Sequence, residues 1–97
     1  MKINTKQRAY LRSEAQVLSA IVMVGKEGKT PSVVNALSEA LEHHELVKVK
    51  FQAFKDEVKD ISNALATETA SLLVATTGFT SVFYKQSKKV EDRKYKF

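Results

Sequence analysis

The chain has no cysteine and no tryptophan, a single proline and three glycines in 97 residues. Without cysteine there can be no disulfide framework and no thiolate metal site or nucleophile. No apolar run approaches the roughly 20 residues needed to cross a bilayer, and the N-terminus lacks the apolar core of a signal peptide, so a cytoplasmic location is expected. With 43% hydrophobic and 28% charged residues the composition is that of a globular protein, and the length fits one domain with one modest core.

The scarce residues are not scattered. Two of the three glycines and the only proline fall within Gly25-Lys26-Glu27-Gly28-Lys29-Thr30-Pro31. This stretch lies between a run that reads as a strand and one that reads as a helix. Glycine lets backbone approach a ligand closely, and a helix N-terminus offers free N–H groups and partial positive charge, so the loop suits an anion, phosphate above all. Lys26 and Lys29 add to that bias, whereas Glu27 opposes it. The net charge of +5 is also uneven. Residues 2–29 and residues 85–97 each carry six Lys/Arg against two acids, leaving the middle of the chain at −3. Basic ends flanking an acidic middle are expected if one surface meets a polyanion, although a solvated surface with a basic tail explains the charge equally well.

Read in order, Asn4 or Thr5 can cap a first helix, with Gln7 completing a loose capping box. Leu11, Ala15 and Leu18 supply its buried stripe, Leu18 lying at or past its end. Arg8 and Arg12, one turn apart, flank that stripe and are expected to point outward, while Lys6 projects elsewhere. Residues 20–24 form a β-branched apolar run that fits a strand covered on both faces. Thr30 caps and Pro31 opens a second helix, whose inner face is Val34, Leu37 and Leu41, widened by Val33, Ala36 and Ala40. Residues 46–51 alternate, with Val47, Val49 and Phe51 on one side and Lys48 and Lys50 on the other: a strand with one wetted face, its lysines either a basic strip or edge protection. Phe54, Val58, Ile61 and Leu65 mark an amphipathic third helix with charged residues outside. Residues 72–76 and 79–84 read as two strands joined by a Thr77-Gly78 turn. The last dozen residues are charged and aperiodic and are expected to fray.

The expected fold is therefore α/β, a single domain over residues 1–86 with a mixed four-stranded sheet and three helices in the order α-β-α-β-α-β-β, followed by a basic, flexible tail at 87–97. Parallel strands joined by right-handed crossovers and a final antiparallel hairpin follow from that order.

Catalytic chemistry finds little support. Gly28-Lys29-Thr30 matches the end of a phosphate-binding P-loop, but that motif requires glycine where Met23 stands, and no strand ends in a candidate magnesium-binding aspartate. His43 and His44 are adjacent and diverge on a helix, so they do not share a metal. No cofactor, metal, membrane or small-molecule substrate is implied. A nucleic-acid reading uses more of the chain: the glycine loop, Arg8, Arg12, Lys48, Lys50 and Tyr84 followed by Lys85. A Gly-x-x-Gly loop before a helix is also how KH modules clamp a nucleotide backbone.

Four stretches in order, Thr5-Lys6-Gln7-Arg8 with Leu11-Arg12, Val24-Gly25-Lys26-Glu27-Gly28, Ala40-Leu41-Glu42-His43-His44-Glu45-Leu46-Val47-Lys48-Val49-Lys50, and Gly78 with Val82-Phe83-Tyr84-Lys85, closely resemble the CRM domain, named for chloroplast RNA splicing and ribosome maturation, in its free-standing bacterial YhbY-like form. The resemblance implies a fold like the C-terminal domain of translation initiation factor three. It also implies an RNA-binding module associated with ribosomal RNA of the large-subunit precursor during ribosome assembly; the chain is expected to be a monomer and not an enzyme. Carried onto this sequence, its RNA contacts are Gly25, Lys26, Gly28, Lys6, Arg8, Arg12, Lys48 and Lys50, to which the reading of the residues adds Lys29 and Lys85. Lys29 departs from the family pattern, which favours an apolar residue there. The competing class is a protein-interaction module that reaches the ribosome or another complex through a protein, by the third helix or the sheet edge.

Overall fold

A computed structural model describes residues 2–95. Its elements follow the expected order: α1 (Thr5–Ala15), β1 (Val22–Val24), α2 (Pro31–His43), β2 (Leu46–Phe51), α3 (Val58–Glu68), β3 (Leu72–Thr77) and β4 (Thr80–Tyr84), then a short 3-10 turn at Val90–Asp92. The four strands form one mixed sheet in the order β1-β2-β4-β3. β1 and β2 are parallel, β4 runs antiparallel to β2, and the β3/β4 hairpin is antiparallel. β4 thus inserts between β2 and β3.

Local signals set the helix starts. Asn4 caps α1 in a reciprocal capping box with Gln7, the Gln7 N–H donating to Asn4 Oδ1 at 2.7 Å and the Asn4 N–H to Gln7 Oε1 at 3.0 Å. Thr30 caps α2 by accepting from the Val33 N–H at 3.2 Å, with Pro31 at the first helical position. α3 begins only at Val58, not at Phe54, which has φ +54° and lies in the preceding loop. α3 closes in a Schellman motif, with Ser71 N–H donating to Ala66 O and Ala70 N–H to Thr67 O. Its left-handed position is held by Ala70 at φ +52° in place of the usual glycine.

Period-two alternation gives the sheet two apolar faces. On one, α2 packs over β1 and β2 and α3 over β3 and β4, enclosing Val24, Leu37, Val49, Phe51, Leu65 and Phe83. On the other, α1 covers only part of the sheet, closing Leu11 and Ala15 over Leu46, Val74, Val82 and Tyr84. Leu18 joins this second core from beyond the helix end. The partial cover explains one departure from expectation. β1 is not buried on both faces: Val22 and Val24 are inside, but Met23 is 45% and Ile21 55% exposed, because β1 is an edge strand beyond the reach of α1. Ala36, expected on the inner face of α2, is likewise exposed.

Two further differences concern the turns and the end of the chain. Thr77 pairs with Thr80, so the hairpin loop is Gly78-Phe79, with Gly78 at φ +58° in the first central position that a II′ turn reserves for glycine. Phe79 therefore sits on the turn instead of starting the strand. Through residue 95 the C-terminal segment lies against the body instead of fraying. The Glu45 carboxylate accepts backbone N–H groups from Ser87 and Lys94, both at 2.6 Å, and from Tyr95 at 3.4 Å. Tyr95 is buried, its ring edge-on to Tyr10 and Tyr84. A charge pattern without periodicity gives no sign of this clasp, because one side chain captures three main-chain donors. Lys96 and Phe97 of the expected tail lie outside the described residues.

Candidate functional site

The glycine loop is a tight turn in which Gly28 N–H donates to Gly25 O at 3.0 Å, leaving Lys26 and Glu27 exposed at the tip. The two glycines do different work. Gly28 has φ +72°, and a Cβ built there would lie 3.2 Å from the Phe54 ring, so the buried side of the loop rests on that aromatic. Gly25 has ordinary backbone geometry, and a Cβ there would meet nothing within 4 Å. Its lack of a side chain keeps the outer surface of the loop open. Gly25, Lys26, Glu27, Gly28, Thr30 and Val33 line an open depression at this point. The helix contributes less than its N-terminus suggests: Pro31 carries no N–H, and that of Val33 is committed to Thr30. The groups that could meet an anion here are the loop backbone, the Ser32 N–H and Lys26.

β2 brings its lysines to the same end. Gln52 N–H donates to Val24 O at 2.9 Å, so the end of β2 abuts the start of the loop, and Lys50 lies between Met23 and Thr80 on the face opposite α2 and α3. Lys48 is half-buried and Lys50 exposed on the part of the sheet that α1 leaves uncovered. Because β2 is interior to the sheet, its lysines are not edge protection. Arg12 is exposed on α1. At about 100° per residue it projects from the flank of α1 away from Tyr10, whose ring meets Tyr95. Lys6, one turn before Tyr10, falls on the other flank.

Three expected contacts are tied into the fold. Arg8 Nη1 donates to Leu73 O at 2.8 Å and to Val74 O at 2.6 Å. The β3/β4 register shifts between Leu73 and Ala75, and Arg8 occupies the carbonyls of that bulge instead of pointing outward. Lys29 forms an ion pair with Glu68 of α3. Lys85 Nζ donates to Thr69 O at 3.1 Å, neutralising the carbonyl end of α3. Lys85 also lies at the far end of β4, about 17 Å of strand from the glycine loop. The structure therefore brings together Gly25, Lys26, Gly28, Lys48 and Lys50; Lys29 follows Gly28 but is paired with Glu68, Arg12 is exposed on the α1 flank from which Arg8 reaches β3, and Lys6, Arg8 and Lys85 do not join them.

Two aromatic residues at this end lie outside the elements that spacing gives them. Phe54 is 39% and Phe79 49% exposed, and Lys55 Nζ lies 4.6 Å from the Phe79 ring centroid. Spacing assigned Phe54 to a helix and Phe79 to a strand. The near-symmetric Thr77-Gly78-Phe79-Thr80 was the one signal that could have put Phe79 on a turn. Among the described residues no cluster of three or more His, Cys, Asp or Glu could hold a metal, and no helix is long and apolar enough to cross a membrane.

Known proteins resemble this chain along nearly its whole length. A Bacillus subtilis protein named probable RNA-binding protein YqeI is 42% identical over 84 residues, covering 86% of this chain and 88% of that protein. A Haemophilus influenzae protein named RNA-binding protein is 38% identical over 90 residues, covering 92% of this chain and 91% of that one. The solution structure of a hypothetical Staphylococcus aureus protein superposes with a TM-score of 0.81 at 32% identity, covering 96% of this chain and 98% of that one. None of these names describes an enzyme. The CRS1 / YhbY (CRM) domain model matches residues 3–85, from the capping box of α1 to the end of β4, and the chain belongs to that family.

Proposed function

We propose that this chain binds RNA, and that its target is ribosomal RNA of the large-subunit precursor during ribosome assembly. The observation that carries the reading is the meeting, at one end of the sheet, of an open Gly25-Lys26-Glu27-Gly28 turn with the lysines of an uncovered face. It is supported by the RNA-binding names of relatives that align over most of their length, and by the implied role of the family. Backbone of the loop approaches a phosphate past Gly25, and Lys26, Lys50, Lys48 and Arg12 neutralise its neighbours. Phosphate contacts fix position and carry little sequence information, so selectivity rests on rRNA shape or on unpaired bases.

With four available cations, log affinity should fall against log salt with a slope of about −3 on the single-strand coefficient. Removing Lys26 should flatten that slope by about 0.7. The second reading, attachment through a protein partner, draws on the exposed Ile21 and Met23 at the β1 edge. Binding of the purified chain to protein-free large-subunit rRNA separates the two. A salt-dependent complex supports RNA contact; binding that appears only when ribosomal proteins are present supports the other.

A further inference from the structure

We propose that Phe79, backed by Lys55, is a stacking platform for an unpaired nucleobase beside the glycine loop, so that the RNA taken at this end is single-stranded. The inference rests on the RNA-binding reading above and deepens it.

Phe79 stands on the two-residue turn between β3 and β4, half its surface open, in a position where an aromatic side chain contributes little to either core. Its backbone is fixed: Phe79 O accepts from Phe51 N–H at 2.7 Å, and the next residue of β2, Gln52, donates to Val24 O. Val24, β2 and Phe79 are therefore neighbours in the sheet, which puts Phe79 two strand spacings, roughly 10 Å, from the start of the glycine loop. The segment between β2 and α3 bridges the same gap on its outer side. Phe54 in it supports Gly28, and the following Lys55 places its ammonium over the Phe79 ring. Phosphate loop, aromatic prop, cation and exposed ring thus form one continuous ridge.

The charges along that ridge sort backbone from base. Asp56 and Glu57 follow Lys55 directly and are exposed, and Lys29 on the α2 side is already paired with Glu68. Surplus positive charge lies instead toward Lys50 and Lys48. A phosphodiester chain is drawn to the loop and the lysine face and repelled near Asp56. A neutral base with a flat π-face meets no such penalty, and stacking on an aromatic side chain is how single strands are held without sequence preference. A duplex keeps its bases inside and cannot use the ring.

The absence of native tryptophan makes Phe79→Trp a clean reporter in the full chain. Titration with a single-stranded oligoribonucleotide should quench its fluorescence, while the same sequence as a duplex, or inorganic polyphosphate, should leave it unchanged. Phe79→Ala and Phe79→Leu should both weaken single-strand binding between about fivefold and a hundredfold, with the salt slope of the parent and an unaltered circular dichroism spectrum. Phe79→Leu binding as the parent does, or a silent tryptophan while RNA remains bound, overturns the platform and leaves the RNA-binding reading standing. If the parent binds none of the RNAs, both fall together.

Discussion

Replacing each loop glycine by alanine should separate the residue that holds the loop from the one that admits the ligand. At Gly28 the backbone sits at φ +72°, where a Cβ costs about 1–2 kcal/mol, and the added methyl would press on the Phe54 ring at 3.2 Å. The contact is with the outer edge of a ring that is 39% exposed, so the ring can shift by a few tenths of an ångström and the backbone cost dominates. Together these predict a loss of roughly 1–3 kcal/mol for Gly28→Ala, or a fall in Tm of about 5–20 °C for a domain of this size. Removing the ring as well, in Gly28→Ala/Phe54→Ala, should cost less than the sum of the two single changes, since the clash is then gone. Gly25→Ala meets no neighbour and no positive φ, so its stability should change by less than about 1 kcal/mol. Its methyl projects where a phosphate is proposed to approach, so RNA affinity should fall although the fold is intact. Thermal melts and binding titrations of the same preparations read both quantities. A Gly25→Ala chain that melts below Gly28→Ala, or that binds RNA as the parent does, would rule out this division of roles between the two glycines.

Three other outcomes follow from the packing. The Tyr84 hydroxyl is pushed up to about 12, chiefly by burial and next by the Glu45 charge, against the opposing influence of Arg93 and a hydrogen bond with Gln86. The unfolded chain loses that proton near pH 10 while the native state keeps it, so stability should drop by about 2–3 kcal/mol between pH 10 and 12, and Tyr84→Phe should flatten the decline in a pH series of denaturant melts. Glu45→Gln puts an amide among three N–H donors; hydrogen exchange of residues 87–95 should accelerate by one to two orders of magnitude, about 1.4–3 kcal/mol, while β2 and β4 stay protected. Ala70→Gly should relieve the left-handed Schellman position and raise stability by about 0.5–1 kcal/mol, measured by urea unfolding.

The order of elements was legible because each start carries its own chemistry: Asn4 with Gln7, Thr30 with Pro31, and the alternation of Val47, Lys48, Val49 and Lys50. The sheet order was not, since nothing local says that β4 enters between β2 and β3. That insertion makes β2 interior and turns its lysines from edge guards into a basic face. The candidate site was legible in its glycines and in Lys26, Lys48 and Lys50, whose placement follows from strand ends. It was not legible in Arg8, Lys29 and Lys85. Charge and spacing make all three look free, but their partners, a bulge carbonyl pair, Glu68 and the end of α3, lie 16 or more residues away in sequence. The exposed Phe79 was hidden for a similar reason, as its role depends on where the hairpin turns.

A phosphodiester strand is proposed to lie along the end of the sheet where β1 passes into α2. Backbone amide chemical-shift mapping of the purified full chain, titrated with protein-free RNA, tests it most directly. The largest perturbations should fall at Gly25, Lys26, Gly28, Lys48 and Lys50 and weaken as salt is raised. Perturbations centred instead on Glu42, His43, His44, Ser87 and Lys94, at the opposite end of the sheet, would contradict it.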